Sequence, residues 1–168
     1  EFHPAWHALM RRSMSSGLHS SVWENSPDTR GNEHKARATK FYLTSQLEAG
    51  HLCPLTMTSA SVAAIMASPR VQKEWAPKIL SRKYDSAQKP ALQKTAVTIG
   101  MGMTEKQGGT DVRANRTTAE RVGEGIYRLS GHKWFLSAPM SDGFVMLAQM
   151  GDGMGCFLVP SYLEDGSK

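Results

Sequence analysis

The sequence predicts an α+β chain, an N-terminal antiparallel helical bundle over residues 1–94 followed by a small β-barrel or β-sandwich domain over residues 95–168. Three features predict it. Up to Leu80, apolar residues recur at three- and four-residue spacing, the period of a helix face. From Thr95 onward the period falls to two, in short β-branched and apolar runs separated by Gly-containing turns. Between them Tyr84 to Lys94 carries Lys, Gln, Ser and Pro with no period, and marks the boundary.

Pro4 to Leu18 opens with a proline suited to a first helical turn and places Trp6, Leu9 and Met10 on one face. His3 and His7 could share that face, but no third ligand accompanies them and no metal site is expected. The turn cluster Ser26 to Asn32 leads into a second helix, Glu33 to Ala49, with Ala36, Phe41, Leu43 and Leu47 directed inward and Gly50 at its end. His51 to Pro54 is read as a break before a third helix, Met57 to Ala67, which is apolar on nearly every side and calls for burial. Pro69 precedes a fourth helix, Val71 to Leu80, with Trp75 and Ile79 one turn apart. Six strands are predicted beyond the boundary: Thr95–Met103, Asn115–Arg121, Gly125–Ser130, Lys133–Ser137, Phe144–Met150 and Gly155–Pro160.

A hydrophobic share of 40% and a charged share of 21% exclude a disordered chain, and no apolar stretch approaches the roughly 20 residues of a membrane span. Net charge is +5, but the basic residues are spread along the chain, with Arg11-Arg12 the one tight pair, so a solvated basic surface explains them better than a nucleic-acid groove. The two cysteines, Cys53 and Cys156, form no zinc spacing and no disulfide framework, as suits a reducing compartment.

Chemistry concentrates in Gly102-Met-Thr-Glu-Lys-Gln-Gly-Gly-Thr-Asp-Val-Arg-Ala114, where a β-branched run opens into a loop. Gly108 and Gly109 lack Cβ and let the main chain approach a bulky anion, while Thr104 and Thr110 add hydroxyl donors. Turn chemistry alone would also accept this as an ordinary hairpin. The residue order resembles the flavin signature of the acyl-CoA dehydrogenases, and Gly131-His-Lys-Trp-Phe-Leu-Ser137 resembles that family's Trp-bearing segment beside the flavin. Phe2-His-Pro-Ala-Trp-His7, Leu52-Cys-Pro-Leu-Thr-Met57 and Gly100-Met-Gly-Met-Thr-Glu-Lys-Gln-Gly-Gly109 are similar to the AidB-like, alkylation-response branch. Lys106 and Leu136 stand where ordinary members usually have proline and a hydroxyl residue, a departure from β-oxidation enzymes.

The resemblance implies FAD as cofactor and an acyl-CoA thioester, or a related small molecule, as substrate. It implies flavin contacts from Met101, Met103, Thr104, Gly109, Thr110, Trp134, Phe135, Leu136 and Ser137, with Gly109 and Thr110 at the pyrophosphate. Glu105 and Asp111 are read as loop-holding residues, not as an acid–base pair. The catalytic base, the main interface of a homotetramer and any basic stripe for DNA belong, on this resemblance, to a C-terminal helical region beyond Lys168. A cytoplasmic setting is expected, or a mitochondrial matrix in a eukaryote. Two further functions fit the same resemblance: a flavin-containing DNA-associated protein of the alkylation-damage response, and an acyl-CoA binding regulator.

Overall fold

A computed structural model describes residues 2–24 and 26–168. Among the described residues four α-helices precede five strands: α1 (Pro4–Ser15), α2 (Glu33–Ser45), α3 (Leu52–Met66), α4 (Pro69–Ile79), then β1 (Ile99–Gly102), β2 (Thr118–Gly123), β3 (Ile126–Ser130), β4 (Gly143–Met150) and β5 (Gly153–Pro160). The α+β class predicted from the two periodicities is the class observed. Pro4 occupies the first turn of α1, where its missing N–H costs nothing, and the His3 ring accepts the Ala5 N–H at 3.1 Å.

The strands form one mixed sheet around β4. β5 lines one edge of β4 antiparallel along its whole length, from Gly143↔Pro160 to Met150↔Gly153. The other edge is shared. β1 runs parallel to the first half of β4, and β2 touches the far end through Thr118↔Gln149. β2 and β3 form an antiparallel hairpin.

Two apolar clusters hold the helices, and the first of them seats α3 and α4 on β1 and β4. In one, Val62 and Ile65 of α3 and Trp75 and Ile79 of α4 meet Val97, Ile99 and Val145. In the other, Met10 and Met14 of α1 meet Leu18, Leu52, Leu55 and Ala96. A buried threonine fixes the height of α3 over the sheet: the Thr58 hydroxyl donates to Pro54 O at 2.7 Å and accepts the Ile99 N–H at 3.0 Å.

Three expectations are corrected. Lys133–Ser137 is not a strand: Phe135 and Ala138 have φ of 55° and 54°, left-handed values that turn the main chain out of any ladder. Leu43 and Leu47 are exposed, because α2 docks through other residues. The Arg37 Nε donates to Leu18 O at 2.7 Å, its guanidinium lies over the Phe41 ring, and Lys40 Nζ donates to Ser16 O at 3.2 Å. Finally, Pro54 does not break the chain. It sits in the first turn of α3, where no intrahelical donor is required. No helix among the described residues is long and apolar enough to cross a membrane.

Replacing Thr58 with valine keeps the shape and leaves the buried Ile99 N–H without its acceptor. Chemical denaturation should show a loss of about 1–3 kcal/mol.

Candidate functional site

The loop after β1 is held by a buried carboxylate. Glu105 is 4% exposed, and its oxygens accept the Arg116 N–H at 2.6 Å, the Thr117 N–H at 3.0 Å and the Lys133 ammonium at 2.8 Å. Burial raises the carboxyl pKa, but these donors outweigh it and hold the group down at about 2. Glu105 and Gly108 also exchange main-chain hydrogen bonds, closing the turn between them. The amide of Asn115, itself buried, donates to Met103 O at 2.9 Å and anchors the loop's return to its start.

Lys133 carries the clamp across to a second segment. The next residue, Trp134, donates its N–H to Thr104 O at 2.9 Å, so residues 133–137 run beside the end of β1. Leu136 and Ser137 lie against Gly102 and Gly100, where a Cβ on either glycine would come within 3.1 Å of Leu136 Cδ1 or 3.3 Å of Ser137 O. A Cβ on Gly109 would come within 2.5 Å of Thr104 Oγ1, so only glycine allows that approach.

All the residues singled out for flavin contact therefore lie on adjoining stretches: Met101, Met103 and Thr104 along β1 and its end, Gly109 and Thr110 on the loop, and Trp134, Phe135, Leu136 and Ser137 alongside. The surface is open. Trp134 is 47% and Phe135 73% exposed, and the two rings meet edge to face at 6.2 Å. Asp111 stands apart from the clamp, with its carboxylate accepting the Arg113 N–H at 3.2 Å.

Residues 1–86 match the family described as adaptive response protein AidB N-terminal domain, and residues 100–168 match acyl-CoA dehydrogenase, middle domain. The chain belongs to the acyl-CoA dehydrogenase family, in its AidB branch. The AidB protein of Escherichia coli strain K12 is 48% identical over 168 residues, which is 99% of this chain and 31% of that protein. The crystal structure of Caenorhabditis elegans ACDH-11 in complex with C11-CoA has a TM-score of 0.83 at 27% identity, covering 99% of this chain and 29% of that one. A glutaryl-CoA dehydrogenase from Mycobacterium smegmatis in complex with FADH2, 20% identical, shares the fold with a TM-score of 0.67 over 92% of this chain and 37% of its own. The chain thus spans about a third of the length of these relatives.

For a member of the acyl-CoA dehydrogenase family the relevant fit is to a flavin dinucleotide, and the residues suit one. A planar apolar ring needs a flat hydrophobic face, which Trp134 to Leu136 offer uncovered, and a diphosphate needs close main-chain approach, which Gly108 at φ 138° and Gly109 permit. Glu105 holds the loop as the sequence reading expected, and what that reading missed is its partners and the second tie beneath this surface. Lys133 and Asn115 looked like ordinary strand residues, since nothing local in a sequence shows that a lysine is buried against a particular glutamate.

The clamp has two measurable consequences. Glu105→Gln leaves the buried Lys133 ammonium without its counter-charge and should cost about 3–5 kcal/mol in chemical denaturation. Because the folded-state pKa lies near 2, below the ordinary 4.5, the stability contributed by Glu105 is complete above about pH 4.5 and is lost as pH falls from there through 2. Wild-type unfolding should show that acid limb, and the Gln variant should show less of it.

Proposed function

We propose that this chain forms the cofactor-binding part of an FAD-dependent, acyl-CoA dehydrogenase-like oxidoreductase that oxidises an acyl-CoA thioester at its α and β carbons. One observation carries the reading: the signature loop and the Trp134 segment, 30 residues apart in the chain, are joined through Glu105 and Lys133 into a single open surface. In this reading Trp134 supports the flavin ring, and the main chain of Met103 and Thr104 with the Thr104 hydroxyl faces the ring's polar edge. Met101 flanks that edge, and Gly109 and Thr110 hold the pyrophosphate. Phe135, Leu136 and Ser137 pass the reactive end of the ring, where Leu136 offers only its main-chain N–H. Bound there, FAD supplies the hydride acceptor.

Glu105 does not serve as the base. Both Glu105 oxygens are engaged and its pKa is near 2, far from the range in which a carboxylate removes a carbon-bound proton. In this reading the base is supplied from outside these 168 residues, where the family resemblance puts it. The C11-CoA held by ACDH-11 supports an acyl-CoA ester as the substrate class.

The full protein should yield FAD, and not FMN or NAD, when its chromophore is extracted, and Gly109→Val should purify with little or none. A colourless wild-type protein that cannot be reconstituted with FAD overturns the reading. Assayed with an acyl-CoA series and an artificial electron acceptor, the 168-residue chain should turn over at least about 100-fold more slowly than the full protein, the usual minimum for loss of a positioned base. Comparable rates would return the base to this chain.

A further inference from the structure

The glycine loop returns to its start at Asn115, a residue to which the flavin reading gives no role. Its side chain is buried and ties two parts of the loop together. Nδ2 donates to Met103 O at 2.9 Å, and Oδ1 accepts from Gln107 Nε2 at 3.3 Å. The main chain of Asn115 is held as well. Its N–H donates to Val112 O at 3.1 Å, and its carbonyl accepts from Gln149 Nε2, of β4, at 3.1 Å. These bonds fix one amide beside the end of β1.

What Asn115 holds is a peptide plane. The Met103–Thr104 peptide is planar and trans, so its C=O and N–H point in opposite directions. A bond that fixes the Met103 oxygen on Asn115 therefore directs the Thr104 N–H the other way. Thr104 is half-buried, and that N–H has no hydrogen-bond partner among the described residues. The next peptide differs, since Thr104 O accepts from the Trp134 N–H and the Glu105 N–H donates to Gly108 O at 3.4 Å. One donor at the start of the loop is thus aimed and left unused.

An aimed donor beside a flavin edge favours one redox state. The polar edge of the ring carries oxygen and nitrogen acceptors, and uptake of a hydride from the substrate's β carbon adds two electrons and one proton, so the ring gains one negative charge. A hydrogen bond to a charged acceptor is about twice as strong as one to a neutral acceptor. Were the plane free to rotate, the Met103 oxygen could take the donor's place and would repel that charge. We propose that Asn115 is a positioning residue for the flavin: by holding the Met103 carbonyl it aims the Thr104 N–H at the ring's polar edge and favours the reduced cofactor. This rests on the flavin reading given above.

The midpoint potential of FAD in the reconstituted full protein reads this directly, with the thermal midpoint measured alongside. Asn115→Ala should lower the preference for reduced over oxidised FAD about tenfold, which makes the potential of this two-electron couple about 30 mV more negative. Gln149→Ala is the control. It removes the bonds to Arg113 O and Asn115 O and loosens the same turn, but leaves Nδ2 of Asn115 on Met103 O. It should lower the thermal midpoint and leave the potential unmoved. Asn115→Asp keeps the size of the side chain, and a carboxylate cannot donate whereas its protonated form can. Its shift from wild type should therefore be present at about pH 8.5 and shrink by about pH 5.5. Should Asn115→Ala not fold, Asn115→Asp carries the test alone. A wild-type protein that takes up no FAD overturns the flavin reading and this proposal together. A wild type that holds FAD at the same potential as the Asn115 variants, or a Gln149→Ala shift as large as theirs, overturns this proposal and leaves the flavin reading standing.

Discussion

The candidate surface depends on one buried carboxylate. Glu105 gathers two main-chain N–H groups from the start of the β2 segment and the Lys133 ammonium from the segment carrying Trp134. Taking a carboxylate and an ammonium out of water costs several kcal/mol each, so the ion pair alone would not justify itself. The added hydrogen bonds change the balance, since those made to a charged acceptor contribute about 1.5–3 kcal/mol apiece. The same donors hold the carboxyl pKa below its ordinary value despite burial, so the group stays ionised. Without that charge, the glycine loop and the aromatic segment would be joined mainly by the Trp134 N–H to Thr104 O bond.

A second polar tie acts at the opposite ends of the same strands. Asp142, immediately before β4, accepts from Lys94 and the Thr98 N–H, and its own N–H donates to Thr98 O. β1 is therefore pinned at its start by Asp142 and beyond its end by Glu105, with Thr58 joining it to α3 between them. The four residues of β1 are short for a strand that must position a ligand, and these ties restrict its register where pairing with β4 covers only Ile99 to Gly102. Helices, sheet and candidate site are thus referred to one short strand.

Much of this fold was legible because its signals are local. Helix faces with three- to four-residue spacing, Pro4 at a first turn, Pro69 ahead of the fourth helix, and period-two runs between Gly turns located the four α-helices and the five observed strands among the six predicted. The Lys133–Ser137 segment misled because it is a short apolar run of the kind strands have, while Phe135 and Ala138 take left-handed φ and the segment is held beside β1 by the Trp134 N–H to Thr104 O bond, which no window of sequence contains. The exposure of Leu43 has a similar origin: α2 is oriented by Arg37 and Lys40 reaching carbonyls of the Ser16–Leu18 turn, and hydropathy does not register such anchors. The surface residues themselves were legible because they fall in two contiguous motifs. Their supports, Glu105 with Lys133 and Lys94 with Asp142, are distant in sequence and appear only in three dimensions.

The openness of the aromatic surface bears on how the chemistry would be divided. A ring lying on Trp134 and Leu136 gains hydrophobic contact on one face, and its other face remains in water. Hydride transfer between carbon and a ring nitrogen needs the reacting atoms aligned within about 3–3.5 Å, and a wet face neither fixes a substrate at that distance nor strengthens the polar contacts around it. Contiguous exposed apolar residues of this kind are also costly to leave uncovered. The clamp beneath them holds the surface in shape without any such cover, since each of its donors and acceptors belongs to this chain. On the proposed function, the strand and loop supply binding geometry, and a dry second face and a base are what the open surface leaves to be supplied.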